Sequence, residues 1–169
     1  ALFFYNLMIW TALRQSYLLS YCGMLVAIMV YAVSSSGLLP GLMPDLANND
    51  RLRINYLSLS LVACFALAFA RTFIEPHIFT RGMRLAATAV GAQMLVLGLS
   101  FALLAPWQIK LLDNLYFASF GIGLAYLALA FVRGVRAGSI YTRLYVLSWS
   151  APLLLSAVRV AHGFGLVPQ

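Results

Sequence analysis

Five apolar stretches, each about long enough to cross a lipid bilayer, follow one another along the chain, and arginines gather in every second gap between them. A spanning helix needs about 20 mostly apolar residues at a rise of about 1.5 Å each. Tyr17 to Leu39, Ile54 to Phe73, Leu85 to Ala105, Leu111 to Val132 and Leu144 to His162 meet that requirement. Composition argues against a soluble alternative: 63% of residues are hydrophobic and 9% charged, where ordinary globular domains have about 45–50% and about 25%. A closed β-barrel also satisfies its backbone in lipid, but its strands alternate apolar and polar residues. CGMLVAIMVYAV (Cys22 to Val33) and LSLSLVACFALAFA (Leu57 to Ala70) are not patterned that way. The expected fold is therefore all-α, a polytopic transmembrane helical bundle forming one domain over residues 1–169.

The run ALFFYNLMIWTAL, residues 1–13, is too short to span. It also lacks the initial Met, basic flank and small-residue cleavage site of a signal peptide. It reads as the second half of a transmembrane helix that begins upstream. At the other end HGFGLVPQ (His162 to Gln169) is a Gly- and Pro-punctuated helix exit. The expectation is five full helices and a partial first one, within a longer protein.

The basic residues set the expected orientation. Arg14, Arg71, Arg81, Arg84, Arg133, Arg136 and Arg143 fall in alternate gaps, whereas the intervening gaps hold Arg51, Arg53 and Lys110. Short cytoplasmic loops carry the Lys/Arg excess. The seven-arginine side is then cytoplasmic and Gln169 extracytoplasmic. The same asymmetry accounts for the net charge of +7. No soluble basic segment interleaved with aromatics is present to hold a nucleic acid, so none is expected as a partner.

Short gaps leave few places for chemistry. The outer gap Pro40 to Arg53 (PGLMPDLANNDRLR) is turn-rich, and its Asp45, Asp50, Arg51 and Arg53 are candidate contacts for a ligand or an outer domain. The inner gap Phe73 to Arg84 (FIEPHIFTRGMR) offers Glu75, His77 and Arg81 to a cytoplasmic partner. Both clusters have a plainer reading, as solvated loop and as charge retained at the interface. Cys22 and Cys64 have no CxxC spacing and no nearby histidine, and His77 and His162 fall on opposite faces. No metal site, cofactor or catalytic group is expected. Ser148 to Pro152 (SWSAP) lacks the G-x-S-x-G elbow of a hydrolase.

Polar groups at membrane depth are costly and are functional candidates by default. Arg159, Gln93, Asn6 and Asn114 are those candidates here. Against this stand snorkelling for Arg159 and interhelical or capping hydrogen bonds for the other three. Small residues four apart, Ala87 with Gly91 and Gly121 with Ala125, allow close helix approach within the bundle or across a homodimer. Pro152 is expected to kink the last helix.

The opening FFYNLMIWTALRQSYLLSY, the exit SSSGLLPGLMP, the Arg71-Thr72-Phe73 helix close and the ending from Arg159 to Pro168 resemble the seven-helix membrane domain of bacterial receptors with diverse intracellular signalling modules. The resemblance covers nearly the whole chain, without the start of the first helix and without a seventh. It implies an extracytoplasmic sensing domain upstream, often a carbohydrate-binding β-sandwich. It also implies a histidine kinase, diguanylate cyclase or related output downstream, in a dimer at the bacterial inner membrane. No site residue is carried over, because the matching positions are structural signatures. The expected function is relay of an extracytoplasmic signal to a cytoplasmic module outside these residues, with no enzyme within them. A small-solute transporter or channel is the alternative, and its expected internal repeat is not evident.

Overall fold

The computed structural model describes residues 2–75 and 78–163, apart from the side chains of residues 40, 151–153, 159, 160, 162 and 163. Its elements are α1 (Leu2–Leu13), α2 (Ser16–Ser35), α3 (Leu38–Leu42), α4 (Asn48–Phe73), α5 (Arg81–Leu104), α6 (Ile109–Arg136) and α7 (Ile140–Gly163). Among the described residues there is no strand. The chain is an all-α polytopic bundle. Helices α2, α4, α5 and α6 are each long and apolar enough to cross a membrane. Helix α7, at 24 residues, has the length to do so, whereas α1 has 12.

Turn chemistry sets the helix ends. Gly37 and Gly138 take the left-handed conformation, with φ of 79° at both, between α2 and α3 and between α6 and α7. An L side chain is strained there and glycine is not. Arg14, between α1 and α2, has the same handedness with φ 52°. Thr80 caps α5 by accepting from the Met83 backbone N–H at 3.4 Å. Asp50 lies in the first turn of α4 and Arg71 in its last, each complementing the helix dipole. Arg133 and Arg136 do the same at the end of α6.

Several boundaries depart from the sequence expectation: α5 starts at Arg81 and not Leu85, which makes Arg81 helical, α6 runs to Arg136 and not Val132, and α7 starts at Ile140 and not Leu144. Helix α2 ends at Ser35, and the turn at Gly37 starts the separate short α3, so no single helix runs to Leu39. Helix α4 begins at Asn48 and not at Ile54. The polar stretch NNDRLR looks like loop by hydropathy, yet Asp50 favours a helix N-terminus and pairs with Arg53 one turn on, at 3.1 Å. Asp50, Arg51 and Arg53 are therefore helical residues, and their assignment to a loop is corrected.

Helix α4 holds the middle of the assembly. It packs along α2 and α5, and its side chains also reach α6 and α7. Leu67 and Ala70 of α4 share a core with Met83 and Ala87 of α5, Leu127, Ala130 and Phe131 of α6, and Tyr145 of α7. An aromatic ladder lines the same side: Phe69 stacks on Phe73 at 4.9 Å and on Tyr145 at 5.3 Å, and Tyr145 on Trp149 at 5.5 Å. Large apolar side chains point outward as well, among them Leu85, Leu103 and Leu147. In water so much exposed apolar surface would drive aggregation. Facing acyl chains, it meets a solvent as apolar as itself.

Close helix approach depends on small residues. A Cβ on Gly134 of α6 would stand 2.5 Å from the Thr142 side chain of α7, and one on Gly98 of α5 would run into Ser60 of α4. Ala87 is buried in the core shared by α4 to α7, so its smallness serves packing inside the bundle.

Candidate functional site

Polar side chains tie α4 to its neighbours near both of its ends. At the N-terminal end, the Arg53 guanidinium donates to the carbonyl of Ala105, which caps the C-terminus of α5, and to Asp50. A cation fits there, because the last carbonyls of a helix have no intrahelical partner and carry the negative end of its dipole. One turn further into the bundle, Tyr56 donates its hydroxyl proton to the Asp113 carboxylate on α6. The Tyr56 ring lies flat on Phe101 of α5, 3.8 Å between centroids and 4° between planes, and meets Tyr116 of α6 edge-on at 4.8 Å. Ser60 then donates to the Tyr116 hydroxyl at 3.3 Å. Ser60, Phe101 and Tyr116 are almost fully buried. Three helices thus meet in one aromatic and hydrogen-bonded cluster.

Arg51 points the other way, toward α2. It donates to the Ser34 carbonyl at 3.4 Å, and the Ser34 hydroxyl donates to the Arg51 carbonyl at 3.2 Å. The Nε of Arg51 and, one helical turn on, the Oδ1 of Asn55 are buried with no protein partner among the described residues. Asp45 is exposed between α3 and α4. The Arg53–Asp50 pair is the one ion pair among the described residues, and at 36% and 42% exposure it contributes little on its own.

At the C-terminal end, Glu75 follows α4 and accepts from the Ser139 hydroxyl at 2.7 Å. The Ser139 oxygen in turn accepts from the Thr142 backbone N–H at 2.9 Å, so it caps the N-terminus of α7. A carboxylate beside a helix N-terminus is electrostatically favoured. Arg71, in the last turn of α4, donates to Thr88 of α5 at 2.9 Å. Arg84 donates to the Phe79 carbonyl at 3.1 Å, and Arg81 is exposed at the start of α5.

The remaining sequence candidates separate into distinct roles. Gln93 of α5 donates to Ser119 of α6 at 2.8 Å, an interhelical bond. Asn6 donates to the Leu2 carbonyl at 2.8 Å within its own helix. Asn114 is exposed on α6, beside Asp113, which carries the cross-helix bond. His77 and the side chains of Arg159 and Pro152 lie outside the described residues. The structure gathers Asp50 and Arg53 at one end of α4 and places Glu75 at the other, with Arg81 alongside on α5. Sequence reasoning passes over Tyr56, Asp113, Tyr116 and Ser139. Asp113 has a usable signal, as the one acidic residue inside an expected span. Among the described residues no three His, Cys, Asp or Glu side chains converge as metal ligands would.

An open apolar cleft of about 730 Å³ lies beside the ladder, lined by α2, α4 and α7 residues that include Tyr21, Tyr31, Phe73 and Trp149. With Arg51, Arg53, Tyr56, Arg71, Gln93 and Glu75 engaged in bonds between elements, the arrangement is suited to holding helices in register and has no assembled catalytic constellation among the described residues.

Fold and site together define a polytopic helical membrane domain whose central helix is bonded to its neighbours at both ends. The chain belongs to the 7TM diverse intracellular signalling family, whose model matches residues 1–169. It is a seven-transmembrane receptor-type domain linked to intracellular signalling, of a kind that is generally non-enzymatic. No curated protein and no solved structure gives a significant match.

Proposed function

We propose that this domain relays an extracytoplasmic signal across the bacterial inner membrane to a cytoplasmic output module of kinase or diguanylate cyclase type, carried elsewhere in the same longer protein. The observation that supports this best is a pair of polar anchors, Tyr56 to Asp113 in the N-terminal half of α4 and Glu75 to Ser139 just beyond its C-terminus. A packed helix held at both ends favours discrete arrangements over continuous bending, and a ligand or partner that prefers one arrangement shifts the population. In this reading the Arg14, Arg71 and Arg133 end faces the cytoplasm, by the excess of basic residues there. An outer event that moves α4 against α5 and α6 then reaches the start of α7 through Glu75 and Ser139. A sensing domain and an output domain are the partners, with a homodimer as the working assembly.

The test uses the full-length protein. Glu75→Gln and Asp113→Asn should each change the ratio of stimulated to basal output while leaving membrane insertion intact. Replacement of residues 1–169 by an unrelated membrane anchor, with the response retained, would overturn the relay. Solute flux in liposomes carrying the purified protein would favour a transporter instead.

A further inference from the structure

We infer that the α4–α5 face at the arginine-rich end of the bundle holds an anionic phospholipid, its phosphate among Arg71, Arg81 and Arg84 and an acyl chain in the groove below. Three clefts meet there. One of about 660 Å³ is lined by Arg71, Arg81, Gly82, Arg84, Leu85 and Thr88. A second, of about 410 Å³, shares Arg71 and Thr88 and continues along the two helices past Leu67, Ala68, Gly91, Ala92 and Leu95. A third, of about 510 Å³, shares Arg71 and Arg84 and opens toward Glu75 and Tyr17. The first two together match the form of a lipid, a charged head at the helix ends and an apolar groove leading toward mid-membrane.

The chemistry of each part fits. None of the three arginines is in an ion pair among the described residues. Arg71 donates through Nη1 to Thr88, and Arg84 through Nε to the Phe79 carbonyl; each bond orients a guanidinium whose other N–H groups have no partner among the described residues. A guanidinium matches phosphate oxygens bidentately, and basic pockets between transmembrane helices favour anionic headgroups. Glu75 is the one carboxylate in these linings, and it accepts from Ser139. The groove below is floored by small side chains, Ala68, Ala87, Gly91 and Ala92, leaving room for a methylene chain. Thr88 and Leu95 are seven positions apart, so the groove extends about 10 Å along the helix. An excess of basic residues that served only to set orientation would have no need of an apolar groove beneath it.

Native mass spectrometry of the full-length protein, released from nanodiscs containing equal phosphatidylglycerol and phosphatidylcholine, tests this. The wild type should retain phosphatidylglycerol preferentially, and Arg71→Gln/Arg84→Gln should lose about tenfold or more of that preference. Arg133→Gln/Arg136→Gln, which removes equal charge from another helix, should keep it. Filling the groove with Ala92→Phe should weaken retention as well. For a readout that needs no variant, a phosphatidylglycerol with a photoreactive acyl chain should label wild-type α5 between Gly91 and Leu95. Equal retention of the two lipids, equal loss in the α6 control, full displacement by inorganic phosphate or labelling spread evenly over the bundle would each overturn the proposal. Because the readout is lipid retention, it stands or falls separately from signal output.

Discussion

Replacing Tyr56 by Phe removes one oxygen and leaves a ring that still fits flat against Phe101 and edge-on to Tyr116. The perturbation therefore isolates the hydroxyl that bonds Asp113. A hydrogen bond to a charged acceptor contributes about 1.5–3 kcal/mol in proteins at large. Interhelical bonds measured within membranes average about 0.6 and reach about 1.7 kcal/mol. Asp113 is half-buried near the end of α6, so water can solvate part of the carboxylate once the phenol is gone. That places the coupling at about 1 kcal/mol, near the middle of the membrane range, or about a fivefold change in a folding equilibrium. The measurement is a double-mutant cycle of Tyr56→Phe and Asp113→Asn in the full-length protein, by reversible unfolding in mixed micelles. The two substitutions should be non-additive by about that amount. Additivity within about 0.3 kcal/mol would refute the reasoning, because the two side chains would then stabilise the bundle independently.

Gly134→Ala should destabilise the protein by about 1–3 kcal/mol, since the new methyl meets the fully buried Thr142 side chain at 2.5 Å; denaturant unfolding reads this directly. Gln93→Leu should cost under about 1 kcal/mol, because loss of the bond to Ser119 is partly offset by better solvation of leucine in lipid. The same unfolding assay, applied also to Ser119→Ala, would expose a larger role. With Cys22 and Cys64 replaced by Ala, a cysteine at Thr80 should resist a membrane-impermeant thiol reagent in intact cells, whereas one at Asp45 should react; the reverse pattern would invert the orientation.

Hydropathy makes the spans legible, because a helix in lipid must be apolar along most of its length and the chain has few other ways to satisfy its backbone. The same measure misreads the start of α4. Asn48 to Arg53 is polar, and polarity in a membrane chain signals loop, but Asp50 and Arg53 are stabilised by the helix dipole and by the Ala105 carbonyl. Asp113 is visible as a carboxylate inside an apolar run. What makes it informative, a phenol 57 residues earlier, is not. Glu75 and Ser139 are 64 residues apart and neither has an unusual sequence context. Pairings of this kind arise from which helices become neighbours, and a periodic apolar pattern specifies a buried face without naming the helix that covers it. The small residues behave likewise. Gly98 and Gly134 look like ordinary glycines in the sequence, and only the approach of Ser60 and Thr142 shows why no larger residue fits.

The length of α4 explains why its two anchors belong to one device. Its 26 residues make a rod about 39 Å long. A rigid tilt of about 5° around its middle moves each end by about 1.7 Å, by the same geometry. The Glu75–Ser139 bond at 2.7 Å does not survive such a displacement along its own direction, because hydrogen bonds weaken steeply beyond about 3.2 Å. Tyr56 lies only about 7 Å from the middle and moves by about 0.6 Å, so its bond to Asp113 is strained less than the one beyond the far end. The centre is constrained differently. Ser60, at the middle of α4, is fully buried against Gly98 of α5 and bonded to Tyr116 of α6, and such close-packed surroundings resist compression, so the middle of α4 acts as a pivot and the motion appears at the ends. In the proposed relay, a change of packing at the N-terminal end of α4 is thereby felt at the cap of α7 without any side chain bridging the distance. The proposed relay thus needs few charges within the spans.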